Sequence, residues 1–469
     1  MSYLVNRQKL KKIKENNLHG IKYSMQYWED FDYSILDNIM YRIPNGKRKD
    51  RKSYNEIVIM LDTETSKTKE NEYDDKGKII PVDNIIVCWS IALRAYGKNI
   101  VTLYGRKPSD IPKCLQDIHF NMNGDKTFIF VHNLAYDWVF MRKFLMKDLG
   151  EPKNQLNTKP HYPLTIEFGD GIILRDSLIL AQRSLEKWGK DLNVEHSKAI
   201  GSWDYSRIRT QSTELSKEEL HYIEHDVLCG VECIDTLMGN LKKNIITLPY
   251  TATGIPREQV RKLGKKNSAH DKFLKICPDY ETHKKLEMCY HGGFTHGNRH
   301  FINTTMENVQ GFDFASSYPY CMLSEKFPLS KFQSIEDPMT VDEILELKEQ
   351  YGFIVRLIAI NVVIKNEFLP MPPLQFSKCI KTVNAELDNG RILSANLVEI
   401  WLTETDLEVI NDNYNWSNAV CADVEYSFKK YLPKWFTDYI YQCFVNKTKL
   451  KGGDPVAYAL SKSIINALY

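Results

Sequence analysis

This 469-residue chain has no CxxC pair, no apolar run of about 20 residues and no internal repeat, and each absence closes off a class of protein. Its ten cysteines are scattered, which argues against a zinc ribbon or a disulfide-stapled secreted module and for reduced, buried thiols in a cytosolic protein. Without a long apolar run there is no candidate membrane span. The opening stretch MSYLVNRQKLKKIKEN has basic residues but no apolar segment after them, so no secretory leader is expected and the expected compartment is the cytoplasm. Charge of one sign is also lacking. The net charge is +2, which neither demands nor excludes nucleic acid. What remains, with 43% hydrophobic and 26% charged residues, is an ordinary globular composition, long enough for about two to four domains.

Basic residues cluster at Lys9 to Lys14, Lys47 to Lys52, Arg257 to Lys266 and Lys447 to Lys451. Any one of these is an ordinary solvated face unless a nucleic-acid chemistry is found beside it. Residues 1–53 are lysine-rich and weakly patterned, and read as a basic extension. Short apolar runs then begin at Ile57–Leu61, Ile85–Trp89 and Thr127–Val131, with helical patterns at Trp138–Met146 and Ser216–Leu237. Strands alternating with helices predict an α/β domain over 54–250. Thr251–Pro256 reads as a linker. Further strands are predicted at Val309–Phe314 and Phe353–Val363, and Tyr426–Tyr469 reads as mostly helical.

The chemistry lies in acids at element ends. Asp62-Thr63-Glu64 comes directly after an apolar run, and on a strand positions i and i+2 share a face, so two carboxylates can share a cation. His132-Asn133-Leu134-Ala135-Tyr136-Asp137 puts another acid after the strand at 127–131. Tyr222 and Asp226, four apart in a helical pattern, reach one site. Taken singly, each is as well explained by a surface turn or a solvated helix acid. His221 and His225 have a zinc-compatible spacing, but no third ligand stands near them in sequence, so they read as exposed helix histidines.

In order and setting, DxE, NxxYD and YxxxD resemble the three motifs of proofreading 3′→5′ exonucleases with an RNase H-like fold. The resemblance implies Asp62, Glu64, Asp137 and Asp226 as ligands of two Mg²⁺ or Mn²⁺ ions, and Tyr222 as the group positioning the attacking water. It implies Asn133, Tyr136, Ser177 and Leu178 as contacts of single-stranded DNA. Farther on, Tyr290-His291-Gly292-Gly293 resembles the YxGG hinge of family B DNA polymerases, a DNA contact. Asp313 to Pro319 resembles their motif A, with Asp313 on a metal and Ser316, Ser317 and Tyr318 at the nucleotide. Lys462, Asn466 and Tyr469 resemble motif B of the fingers, with Ala467 where serine is usual. Leu402 to Glu408 resembles a segment of the protein-primed branch, which implies a terminal-protein contact at Asp406, although a Thr-x-x-Asp helix cap explains that residue equally well.

The chain is thus identified as a member of the protein-primed family B polymerases. The implied fold is α/β, an RNase H-like exonuclease domain succeeded by a partial palm with an insertion and the first fingers helices. The expected divisions are 54–250 exonuclease, 251–325 linker and first palm segment, 326–425 insertion and 426–469 fingers. Expected partners are primer-template and single-stranded DNA, dNTPs and a terminal-protein primer. No acidic hairpin of the YxDTD kind occurs in the sequence. The chain is therefore expected to excise but not to extend, and to need a second polypeptide or a C-terminal half carrying that hairpin. Two other readings stand beside this one: a free-standing exonuclease, and an assembly subunit binding DNA and terminal protein.

Overall fold

The computed structural model describes residues 22–39, 42–45, 52–55, 57–70, 72–73, 78–80, 82–122, 126–197, 203–369, 371–453 and 455–468. The chain forms two compact units, one of residues up to 257 with 447–468, the other of 258–446.

The first unit is built on an eight-stranded sheet. Its strands are β1 (Met25–Tyr27), β2 (Val58–Lys67), β3 (Asn84–Ala95), β4 (Lys98–Gly105), β5 (Thr127–Val131), β6 (Asn154–Lys159), β7 (Tyr162–Glu167) and β8 (Ile172–Asp176). They lie in the order β1-β4-β3-β2-β5-β8-β7-β6. At the centre β5 runs parallel to both β2 and β8. Central parallel strands are buried on both faces, and all five residues of β5 are buried. The helices covering the faces are α1 (Ile111–Asn121), α2 (Leu134–Leu149), α3 (Leu178–Ala181), α4 (Leu185–Leu192) and α5 (Lys217–Leu241).

Side-chain parity on β2 divides its residues between two cores. Ile59 and Leu61 belong to the core shared with α1 and α2. Val58 and Met60 belong to the other core, shared with α4 and α5. Even-numbered residues of β2 therefore face α5 and odd-numbered ones face α2. Helix α5 begins at a capping box formed by Ser216 and Glu219. It lies close over β2 at Gly230, where an added Cβ would meet the Met60 side chain within 2.9 Å.

Residues from Met25 onward are not an extension. β1 pairs with β4, and Trp28, Phe31 and Leu36 are buried in the first core. The lysines of 1–53 lie toward its two ends, so averaging over the whole stretch hid an edge strand and three apolar anchors between them. The linker-like segment at 251–256 runs into a helix, α6 (Gly254–Lys266), whose first turn accommodates Pro256.

The second unit holds a sheet in which β9 (Lys326–Pro328), β10 (Tyr351–Ile364), β11 (Cys379–Val383), β12 (Arg391–Thr403) and β13 (Asn418–Tyr431) lie in the order β9-β13-β10-β12-β11. The predicted strand at 353–363 is β10. The predicted helical region from Tyr426 begins later, because β13 continues to Tyr431 and its pairing with β10 overrides local preference. Its helices include α7 (Ser317–Ser324), α8 (Glu404–Asn413) and α9 (Lys434–Leu450), and α10 (Pro455–Asn466) belongs to the first unit. Val309–Phe314 is not a strand. An apolar run becomes one only when neighbours take its hydrogen bonds, and no described strand does, leaving Phe312 91% and Phe314 86% exposed. All ten cysteines are free. No helix among the described residues is long and apolar enough to cross a membrane.

Candidate active site

Even parity points Asp62 and Glu64 toward α5, and α5 brings Asp226 to meet them. One carboxylate oxygen of each lies within 4.8 Å of the others. Asp62 is half-buried, Glu64 is 7% exposed and Asp226 2%. Three carboxylates gathered out of bulk water repel one another unless a cation sits between them. An all-oxygen donor set of this kind fits Mg²⁺ or Mn²⁺ rather than a softer metal.

Tyr222 lies one helical turn before Asp226 and is 4% exposed. Burial, reinforced by the charge of Asp226, pushes its phenol far above the ordinary tyrosine value. The hydroxyl therefore keeps its proton and acts as a hydrogen-bonding group, not a base. Its oxygen is 3.1 Å from that of Tyr205, a 67% exposed residue that the motif reading missed. Only the aromatic run Trp203-Asp204-Tyr205 hinted at it.

Arg209 fixes the segment bearing Tyr205. Its guanidinium donates to Glu219 at 2.6 and 2.9 Å and to the carbonyls of Asp204 and Arg207, and it stacks over Trp203. Its backbone N–H donates to Ser66, an even-numbered residue of β2.

Parity also governs the surroundings of Asp137. Thr63, odd-numbered, faces α2, and its hydroxyl donates to Asp137 at 2.6 Å. Asp137 is thus held on the α2 side of the strand, outside the group formed by Asp62, Glu64 and Asp226. Burial raises its pKa to about 7.

Asn133, Tyr136, Ser177 and Leu178 lie on segments joined through one carboxylate. Asp176, last in β8, accepts the Leu134 N–H at 2.8 Å and the Ile179 N–H at 2.7 Å, so it caps both α2 and α3. Asn133 precedes α2 in the left-handed region, with φ of 77°. Tyr136 is half exposed, its hydroxyl 2.7 Å from that of Thr65. Ser177 is fully buried and donates to the Val131 carbonyl. It therefore shapes the turn instead of facing solvent, and Leu178 is only half-buried. Replacing Asp176 by alanine is expected to cost about 2 kcal/mol, as two capped N–H groups lose their acceptor. Thermal melting of the variant against the wild type measures this.

The remaining predicted residues lie on other elements. Tyr290, Gly292 and Gly293 lie in an exposed irregular stretch, with open space where a glycine Cβ would stand. Asp313 is exposed and belongs to neither acid cluster found among the described residues. Ser316 precedes α7 with φ of 59°, Ser317 opens it, and Tyr318 is exposed. Thr403 caps α8: its Oγ1 accepts the Asp406 N–H, and its hydroxyl donates to the Asp406 carboxylate at 2.8 Å. Lys462 and Asn466 are exposed on α10, and Tyr469 lies outside the described residues.

Residues 200–469 match the model of the family described as DNA polymerase type B, organellar and viral. The chain is 25% identical over 360 residues to the DNA polymerase of Bacillus phage Nf, covering 73% of this chain. It is 25% identical over 332 residues to that of Bacillus phage B103, covering 66%. The chain spans 58% and 54% of the lengths of these relatives. Its fold matches Phi29 DNA polymerase complexed with primer-template DNA at a TM-score of 0.65 and 19% identity, over 88% of this chain and 67% of that one. The same polymerase complexed with single-stranded DNA matches at 0.64 and 18%, over 88% and 66%.

Proposed function

Because the chain belongs to the organellar and viral type B DNA polymerases, we propose that its first unit is a 3′→5′ exonuclease serving a protein-primed DNA polymerase. The observation that carries this reading is the convergence of Asp62, Glu64 and Asp226 beside the buried Tyr222. Mg²⁺ or Mn²⁺ held by these carboxylates would supply Lewis acidity and lower the pKa of a bound water. Tyr222, kept neutral, holds that water by hydrogen bonding, and Tyr205 steadies the Tyr222 hydroxyl. Tyr136 offers an exposed ring on which a terminal base stacks without regard to sequence. Asp137 supports Thr63 and thus the strand that carries the acids.

The activity of the whole protein is proposed as template-directed DNA synthesis from dNTPs. In that reading Asp313, Ser316, Ser317 and Tyr318 belong to the nucleotide site, with Lys462, Asn466 and Tyr469 on the fingers. The sequence has no acidic hairpin to join Asp313, so a polypeptide of residues 1–469 is expected to shorten a primer and not to lengthen it. A terminal-protein contact is assigned to the insertion at 326–425, which includes Asp406.

The test incubates this polypeptide with a 5′-labelled single strand and Mg²⁺. Stepwise shortening that stops with EDTA is expected. Tyr222→Phe is expected to reduce kcat about 10²-fold with KM little changed, since only the alignment of water is lost. A strand that stays intact with Mg²⁺ and with Mn²⁺ would overturn the reading.

A further inference from the structure

A second cluster of metal-compatible side chains lies on the same helix, apart from the carboxylate site. His221 and His225 sit one turn apart on α5, each just before a residue of the candidate active site, with ring centroids 3.9 Å apart. The third histidine that sequence spacing did not offer comes from the segment after α4. The ring of His196 lies 5.3 Å from that of His225 at 73°. Beside it are Glu195, which is exposed, and Glu232, which is buried two turns along α5 from His225.

The ligating atoms of Glu195, His196 and Glu232 all lie within 4.8 Å of one another. Glu232 is fixed in orientation by its neighbours. Its Oε2 accepts the His196 backbone N–H at 2.9 Å, fixing the carboxylate, while its Oε1 is 2.6 Å from His196 Nδ1. Asn99 donates to the same Oε1 at 2.8 Å, and Arg94 approaches it at 3.6 Å. His225 has its own orienting partner, its Nδ1 lying 3.1 Å from the Ser197 carbonyl. A ring nitrogen pinned by a backbone carbonyl leaves Nε2 as the metal-facing atom, a recurrent arrangement in metal-bound histidines. Arg94 pairs more closely with Asp235, at 2.9 Å, so the two acids of the pocket keep negative charge and attract a cation.

We propose that Glu195, His196 and Glu232, with His225 in the fourth position, bind a transition-metal dication in tetrahedral nitrogen–oxygen coordination, Zn²⁺ being the commonest ion of that preference. Mixed imidazole and carboxylate donors distinguish this site from the all-oxygen one. The ion ties the segment after α4 to α5, on the same helix that presents Tyr222 and Asp226. The proposal does not depend on the exonuclease reading.

The test uses the full chain without a histidine tag, in an Asp62→Ala/Glu64→Ala/Asp226→Ala background that removes the carboxylate site. Titration with Co²⁺ is expected to give the intense visible bands of a tetrahedral centre at one equivalent, displaced by Zn²⁺, and Zn²⁺ is expected to raise the Tm. Glu195→Gln, at an exposed position that folding does not need, and His196→Ala are each expected to weaken binding at least about tenfold. Circular dichroism checks that both variants fold. The proposal is overturned by a weak octahedral spectrum, by stoichiometric binding that both variants leave unchanged, or by the disappearance of all binding with the carboxylate site.

Discussion

Alanine at both Asp62 and Glu64 is expected to reduce 3′ excision at least about 10³-fold in kcat, since several kcal/mol of metal-borne stabilisation is lost and each 1.36 kcal/mol is a factor of ten. The same substitution is expected to raise the melting temperature measured in EDTA. The three carboxylates of Asp62, Glu64 and Asp226 crowd within 4.8 Å in a largely buried setting. Without a cation their mutual repulsion opposes folding, and removing two of them relieves it. Excision assays and thermal melts on the same two proteins read both effects. Retained excision would move the chemistry elsewhere. A lower melting temperature in EDTA would mean that the acids serve the fold rather than a metal.

Arg209→Met is expected to destabilise the first unit by about 3–5 kcal/mol, the usual consequence of leaving a buried acid without its partner. The guanidinium and the Glu219 carboxylate are 2% and 5% exposed, with Nη2 and Oε1 2.6 Å apart. Arg207, 3.4 Å from the same oxygen but half exposed, cannot take its place. The pH dependence comes from Glu219. Burial alone would raise its pKa, but the Ser216 N–H and the Arg209 guanidinium outweigh that and hold it below its ordinary value of 4.5. A depressed acid stabilises the fold above its ordinary pKa, and that contribution is lost as the pH falls through the lowered value. The wild type should therefore lose more stability on acidification than Arg209→Met does. Urea unfolding at neutral and acidic pH checks this. An unchanged urea midpoint at neutral pH would show that the guanidinium is not holding the segment.

The legible parts of the site were those where residue type and element period coincide. DxE on a strand and YxxxD on a helix each put their groups on one face whatever the rest of the chain does, and Asp62, Glu64, Tyr222 and Asp226 do come together. Asp137 could not be placed in this way. Its distance from the other acids depends on which face of β2 meets α2, and that is a property of the sheet, not of a six-residue motif. The burial of Ser177 was not legible either, because nothing in a short motif shows that its hydroxyl donates to the Val131 carbonyl. Tyr205 and His196 sit in irregular segments, where no period predicts direction. In the second unit Val309–Phe314 has the composition of a strand, but strand formation needs a neighbour, and composition does not supply one. Trp28, Phe31 and Leu36 were hidden because acidic residues interleave with them and the basic ends of 1–53 dominate any average over the stretch.

The double cap at Asp176 makes the cradle proposed for the 3′ end a single mechanical part. One carboxylate holds the first turn of α2, with Asn133 and Tyr136, and the first turn of α3, with Leu178. A shift of either helix pulls on the other through a rigid strand end, so the two walls share one hinge pin and cannot be adjusted separately. Substitutions that re-aim one wall toward a different terminal base will be tolerated only when the other wall moves with it. The specificity of this cradle should therefore drift through paired changes across Asp176, not through single ones.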